Sequence, residues 1–152
     1  MQIAINTLGP SKLKAGIGRY VSNLVNDLAK IDDKNKYFIF VNEDNFEWFA
    51  NITNSNFKII KLSNYSKIKF MRVLWEQFIL PLYCVTKKID LLHSPGFTLP
   101  FIKTCKQAVT IHDMTFFNYP EHHTFLKRIY FPMMIKHAAK RADLIFADSE
   151  NT

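Results

Sequence analysis

The sequence predicts an α/β fold built on an open parallel sheet of six strands with helices on both faces. Three observations predict it. Short apolar runs alternate with helical periods from end to end of the 152 residues, the pattern of repeated strand–helix units. The first run, residues 3–6, is short and apolar, as fits a buried parallel strand. All four glycines, Gly9, Gly16, Gly18 and Gly96, follow predicted strands, where the backbone of a Rossmann-like sheet turns or meets a ligand.

Residues 3–6 form the first strand. The first helix carries apolar residues at Ile17, Tyr20, Val21, Leu24, Val25, Leu28 and Ile31, the clearest helical period in the chain. Residues 37–41 are strand two, 42–50 a short helix or loop, and 57–60 strand three. Residues 68–86 read as one long helix, apolar nearly all round, with a kink at Pro81. Strand four is 90–93 and strand five 107–111, ending on His112-Asp113. A loop to Pro120 precedes a helix over 122–141, bent or interrupted near Pro132. Strand six, 143–147, ends at Asp148-Ser149. Right-handed crossovers then predict the strand order 3-2-1-4-5-6. A seventh element is expected where the sequence stops, so residues 1–152 read as one domain of a longer protein.

Composition narrows the function. Hydrophobic residues make up 48% and charged residues 22%, as in ordinary globular domains. The 14 phenylalanines hint at a surface that meets something apolar. No apolar run reaches the ~18 residues of a membrane span, and the N-terminus enters a strand with no signal-peptide pattern. A cytoplasmic location follows as an expectation. Cys84 and Cys105 have no metal or redox spacing and are expected as buried free thiols.

The net charge of +7 calls for an anionic partner: nucleic acid, lipid headgroups or a phosphorylated small molecule. Nucleic acid is disfavoured, since no recognition module is present. The two long helices mix basic and aromatic residues, including Lys67, Arg72, Phe78, Phe125, Lys127 and Lys136. Such helices suit peripheral contact with an anionic membrane; the alternative is that their apolar residues face the sheet.

The predicted carboxyl edge of the sheet gathers residues 7–19, His93-Ser94-Pro95-Gly96, His112-Asp113 and Asp148-Ser149. Ligands bind at that edge in open α/β sheets. Gly16-Ile17-Gly18-Arg19 opens the first helix, whose free N–H groups and dipole suit a phosphate. A plain tight turn is the alternative, because the spacing is not Gly-x-Gly-x-x-Gly: position 21 is Val. His112 ends a buried strand beside a carboxylate and can donate, accept or carry charge, or be a structural histidine bonded to a carbonyl. His93 occupies the same place on strand four, or shapes a turn. No metal spacing occurs, no cofactor is implied, and neither Ser94 nor Ser149 sits in a nucleophile elbow.

Five stretches in order resemble the N-terminal domain of a family 4 (group 1) glycosyltransferase of the GT-B fold. They are Gly16-Ile17-Gly18-Arg19-Tyr20 with Asn23-Leu24, Leu74-Trp75-Glu76-Gln77 with Pro81, Asp90-Leu91-Leu92-His93-Ser94-Pro95, Thr110-Ile111-His112-Asp113-Met114, and the run from Ala142 to Glu150. The resemblance implies a two-domain enzyme that moves a sugar from a nucleotide-sugar donor to a glycan or lipid-linked acceptor with retention, in cell-surface polysaccharide synthesis. It implies that the glycine loop, Gly16 and Gly18 with Arg19, approaches the donor phosphates and that His112 contacts the transferred sugar. His93 and Asp113 are further candidates for substrate binding. The family's Glu-x7-Glu donor motif and its phosphate-neutralising Arg and Lys belong to a C-terminal domain that this sequence lacks, so the chain alone is expected to be inactive. The competing reading is a non-catalytic module for a phosphorylated or nucleotide ligand.

Overall fold

Every pairing in the sheet is parallel, as the repeated strand–helix units predict. The computed structural model describes residues 1–9, 16–62 and 68–148. Its strands are β1 (Gln2–Asn6), β2 (Lys36–Val41), β3 (Phe57–Lys61), β4 (Leu91–Ser94), β5 (Lys106–Ile111) and β6 (Leu144–Ala147). They form one six-stranded sheet in the order β3-β2-β1-β4-β5-β6, the expected order. Ser149 and Lys67 lie outside the described residues.

Register divides the core between the two faces. Ile5 lies beside Ile39 and His93, and His93 beside Ala108, so these residues share one face. Helix α1 (Ile17–Ile31) covers that face, seating Val21 and Val25 against Ile5, Ile39 and Val41. Ala4, Phe40 and Leu92 point the other way and meet Leu80 and Cys84. Each such buried aliphatic or aromatic side chain contributes about 1.5–3 kcal/mol. Asp32 turns the chain from α1 into β2, accepting hydrogen bonds from the backbones of Lys34 and Asn35 and from the Tyr37 hydroxyl at 2.8 Å.

The long helix predicted over 68–86 is three joined pieces: α2 (Lys69–Leu74), a π turn (Trp75–Ile79) and α3 (Leu80–Thr86). The irregularity precedes Pro81 rather than sitting on it. Proline lacks the N–H that would bond the carbonyl four residues back, and its ring crowds that carbonyl. The turn before it widens to five residues, and Glu76 and Gln77 are rotated inward and buried.

Past β5 the expected loop contains a short helix, α4 (Thr115–Asn118). Helix α5 (Phe125–Arg141) then runs unbroken through Pro132. Met134, Ile135 and Ala138 are buried, the last two against Val109 and Ile111. That packing holds the helix in one piece where the proline removes a bond. The opposite side of α5 is also apolar: Phe125, Leu126, Ile129 and Met133 are exposed. Both cysteines are free, Cys84 buried as expected but Cys105 only half-buried. A hydrogen bond from the Cys84 thiol draws the Cys105 thiol down to about 7.

Candidate functional site

Strand β5 ends by carrying His112 to the carboxyl edge of the sheet, between the ends of β4 and β6. His112 Nδ1 lies 2.5 Å from Asp148 Oδ2, and Nε2 lies 3.2 Å from the Pro95 carbonyl oxygen. Both partners are acceptors, so both contacts are hydrogen bonds only when both ring nitrogens carry protons. Tyr20 and Phe97 meet the ring edge-on, with centroids at 5.0 and 5.7 Å. The imidazole is fixed on four sides, and its side chain is 8% exposed while that of Asp148 is 39% exposed. The carboxylate is the solvent-facing member of the pair.

His93 sits one strand away, deeper in the fold. Its Nε2 is 3.0 Å from Thr110 Oγ1, which is in turn 3.2 Å from the Tyr20 hydroxyl. Burial, assisted by the neighbouring His112, pushes the His93 imidazole down to about 4. It is therefore neutral at physiological pH and ties β4, β5 and α1 together beneath His112.

The first turn of α1 meets this cluster through Tyr20. Gly16 has φ 49° and ψ −115°, a conformation that favours glycine. Its carbonyl accepts from the amides of Arg19 at 3.0 Å and Tyr20 at 3.1 Å. Among the described residues no side chain caps the helix start, and its first turn carries no acidic residue to offset the positive end of the dipole. A Cβ built on Gly16 or Gly96 would meet nothing within 4 Å, so open space adjoins both. Gly18 is buried within the first turn and Arg19 is exposed. Asp113 is turned to its own loop: its Oδ1 accepts from the Thr115 amide at 2.9 Å and the Thr115 hydroxyl at 2.6 Å, starting α4.

A pocket of about 220 Å³ opens beside this cluster, on the sheet face that carries α5. Asn6 and Ser94, at the ends of β1 and β4, line it together with Arg72 and Glu76 from the α2–π segment. Tyr130 and Phe131 of α5 and Phe97 complete an aromatic wall. Glu76 is 7% exposed. Burial raises its carboxyl above the usual range, while Arg72 and a hydrogen bond with Asn6 oppose the rise. Arg72 reaches the Leu8 carbonyl at 3.2 Å, and its Nε lies 3.8 Å from Glu76 Oε1.

Of the residues singled out from sequence, the fold brings together the start of α1, His112 and the turn after β4. His93 and Asp113 are engaged in support of that cluster. The role of Asp148 as the acceptor for His112 went unread, as did the pocket residues Asn6, Arg72, Glu76 and Ser94. A signal for Glu76 existed, since it is the lone acid in the apolar stretch 69–86. Among the described residues no group of three His, Cys, Asp or Glu could hold a metal ion, and no helix is long and apolar enough to cross a membrane. In comparisons with known proteins, no family model matches the chain and no curated protein or solved structure is significantly similar to it.

Proposed function

We propose that this chain is the acceptor-side half of a retaining glycosyltransferase that uses a nucleotide-sugar donor and works with a second, nucleotide-binding domain. The observation that carries the reading is the histidine at the carboxyl edge, oriented by Asp148 and set beside a helix started by Gly16, where an added Cβ would meet nothing within 4 Å among the described residues. Transfer breaks the bond between the sugar's anomeric carbon and the diphosphate and forms one, on the same face, to the oxygen of an acceptor hydroxyl, whose proton passes to the departing diphosphate. The departing diphosphate needs positive charge; the start of α1 supplies part of it, with Arg19 nearby. The His112 Nε2 proton, resting on the Pro95 carbonyl, is the donor that a hydroxyl of the transferred sugar would take over. Asp148 fixes the ring for that exchange. In this reading His93 and Asp113 act by positioning, one beneath the ring and one in the following loop.

The resemblance carried by the five sequence stretches supports the class, and the sheet order agrees with it without being specific to it. The test is a transfer assay on a polypeptide that joins this domain to its nucleotide-sugar domain. Acceptor-dependent release of nucleoside diphosphate with retained anomeric configuration is expected. An inverted product would overturn the mechanism. Tight nucleotide binding by this domain alone, with no transfer in the joined protein, would favour a non-catalytic phosphate-binding module.

Peripheral contact with an anionic membrane belongs to the same proposal, as the route to a lipid-linked acceptor. Its support is the outer surface of α3 and α5. Phe78, Ile79, Leu82 and Val85 are exposed along one stripe, and Phe125, Leu126, Ile129 and Met133 along another. Lys136 and Lys140 extend the second stripe at helical spacing, and α5 contains no acidic residue. An apolar stripe edged by cations suits an anionic lipid surface.

A further inference from the structure

The pocket between β1, β4, the π turn and α5 contains polar groups that the protein's own hydrogen bonds leave unfinished. Ser94 is 2% exposed, and its Oγ has no partner among the described residues. Arg72 Nε is buried too and makes no hydrogen bond among them, with only the ion pair to Glu76 Oε1 at 3.8 Å. Leaving such a group without a hydrogen bond is costly, and native proteins keep few of them. Here two line one cavity, beside a buried carboxyl. The segment that delivers Glu76 is a π turn, a form that recurs at functional sites.

The occupant is defined by what these groups want. Glu76 accepts from hydroxyls, Arg72 donates to them, and Ser94 does either. The facing wall of Tyr130, Phe131 and Phe97 offers ring faces and edges to C–H surface. A pyranose ring presents both kinds of surface, hydroxyls around its rim and C–H groups on its faces. The pocket's volume of about 220 Å³ lies under the roughly 300–1,000 Å³ of clefts for drug-sized ligands. It suits one ring and excludes a whole nucleotide. An inorganic anion would meet Arg72 but also the Glu76 carboxyl, and would leave the aromatic wall unused.

We propose that this pocket seats a single pyranose unit, held by Arg72, Glu76 and Ser94 against the aromatic wall; its binding of a pyranose does not depend on the glycosyl-transfer reading.

Saturation-transfer NMR on the chain, with no nucleotide donor present, tests it. The probes are the methyl α-glycosides of glucose, mannose, galactose and N-acetylglucosamine, with glycerol and uridine as controls. At least one glycoside is expected to receive saturation well above both controls. Ser94→Ala should weaken its binding roughly five- to tenfold, the effect of one neutral hydrogen bond, without lowering the melting temperature, because it deletes a hydroxyl that has no partner among the described residues. Glu76→Gln should weaken it as well. Saturation of no glycoside above glycerol, or equal binding by wild type and Ser94→Ala, would overturn the proposal. So would displacement of the glycoside by inorganic phosphate. Glycoside binding without transfer by the joined two-domain protein would refute the glycosyltransferase reading and leave the pocket standing; transfer without glycoside binding would do the reverse.

Discussion

His93 and His112 are adjacent histidines with different work, and burial separates them. The His93 ring is bonded to Thr110 and held neutral, with its ionisation lowered from the ordinary 6.5 to about 4. Between those values the unfolded chain takes up a proton that the folded chain refuses. Stability contributed by this site is therefore whole above pH 6.5 and lost as pH falls toward 4. The shift corresponds to roughly 3 kcal/mol. Urea denaturation at pH 7.5 and pH 4.5 should show a smaller acid loss for His93→Gln than for wild type. Identical losses in the two proteins would mean that the ring is not desolvated as described. At this scale the sequence is least informative. It puts His112, Asp113 and Asp148 at one edge, but whether Asp148 or Asp113 serves the ring depends on how β5 and β6 pair. Glu76 stands out as an acid in an apolar stretch, yet its inward turn follows from the π geometry ahead of Pro81.

Helix α1 was legible because its apolar residues all fall on one stripe. Helix α5 was legible in extent, expected over 122–141 and found at Phe125–Arg141, but not in continuity, since it runs through Pro132 where a bend or break was expected. Exposed Phe125, Leu126, Ile129 and Met133 face away from buried Met134, Ile135 and Ala138, so no single apolar stripe marks it. The four residues of α4 are too few for any period to register. Gly16 is an element-scale device: its φ of 49° starts α1, and a Cβ there meets open space. Gly16→Ala should therefore cost about 1–3 kcal/mol through backbone strain alone, read as a lowered urea midpoint at unchanged slope. If the proposed function holds, Gly16→Val in a polypeptide joining this domain to a nucleotide-sugar domain should raise the KM for donor more than it lowers kcat, because the added bulk projects from the helix start. A donor KM equal to that of wild type would separate the glycine loop from the phosphates. The exposed stripe of α5 makes its own prediction. The chain should co-sediment with vesicles containing phosphatidylglycerol and not with pure phosphatidylcholine, and the double variant Phe125→Asp/Ile129→Asp should abolish the binding. Equal binding by the variant would return α5 to an ordinary solvated helix.

The whole molecule follows the order its apolar runs predict, because parallel strands with right-handed crossovers leave few arrangements. That order sets the ends of β1, β4, β5 and β6 at one edge, and the candidate site is a consequence of topology before it is one of chemistry. Strand β6 closes that edge with Leu144, Ile145 and Phe146 each more than 40% exposed. Together with the stripes of α3 and α5 it leaves an unusual share of apolar surface open to water. Concentration-dependent self-association in sedimentation velocity is expected, and a strictly monomeric chain at high concentration would contradict it.

In the proposed enzyme His112 serves a reacting sugar rather than the fold. The direct test is turnover of the joined two-domain polypeptide carrying His112→Ala, with thermal stability measured on the same preparation. A ten- to thousandfold drop in kcat is expected, the loss of one transition-state hydrogen bond of about 1.5–4 kcal/mol, with a melting temperature close to that of wild type. Wild-type turnover together with a clearly lowered melting temperature would contradict it and make His112 a structural residue.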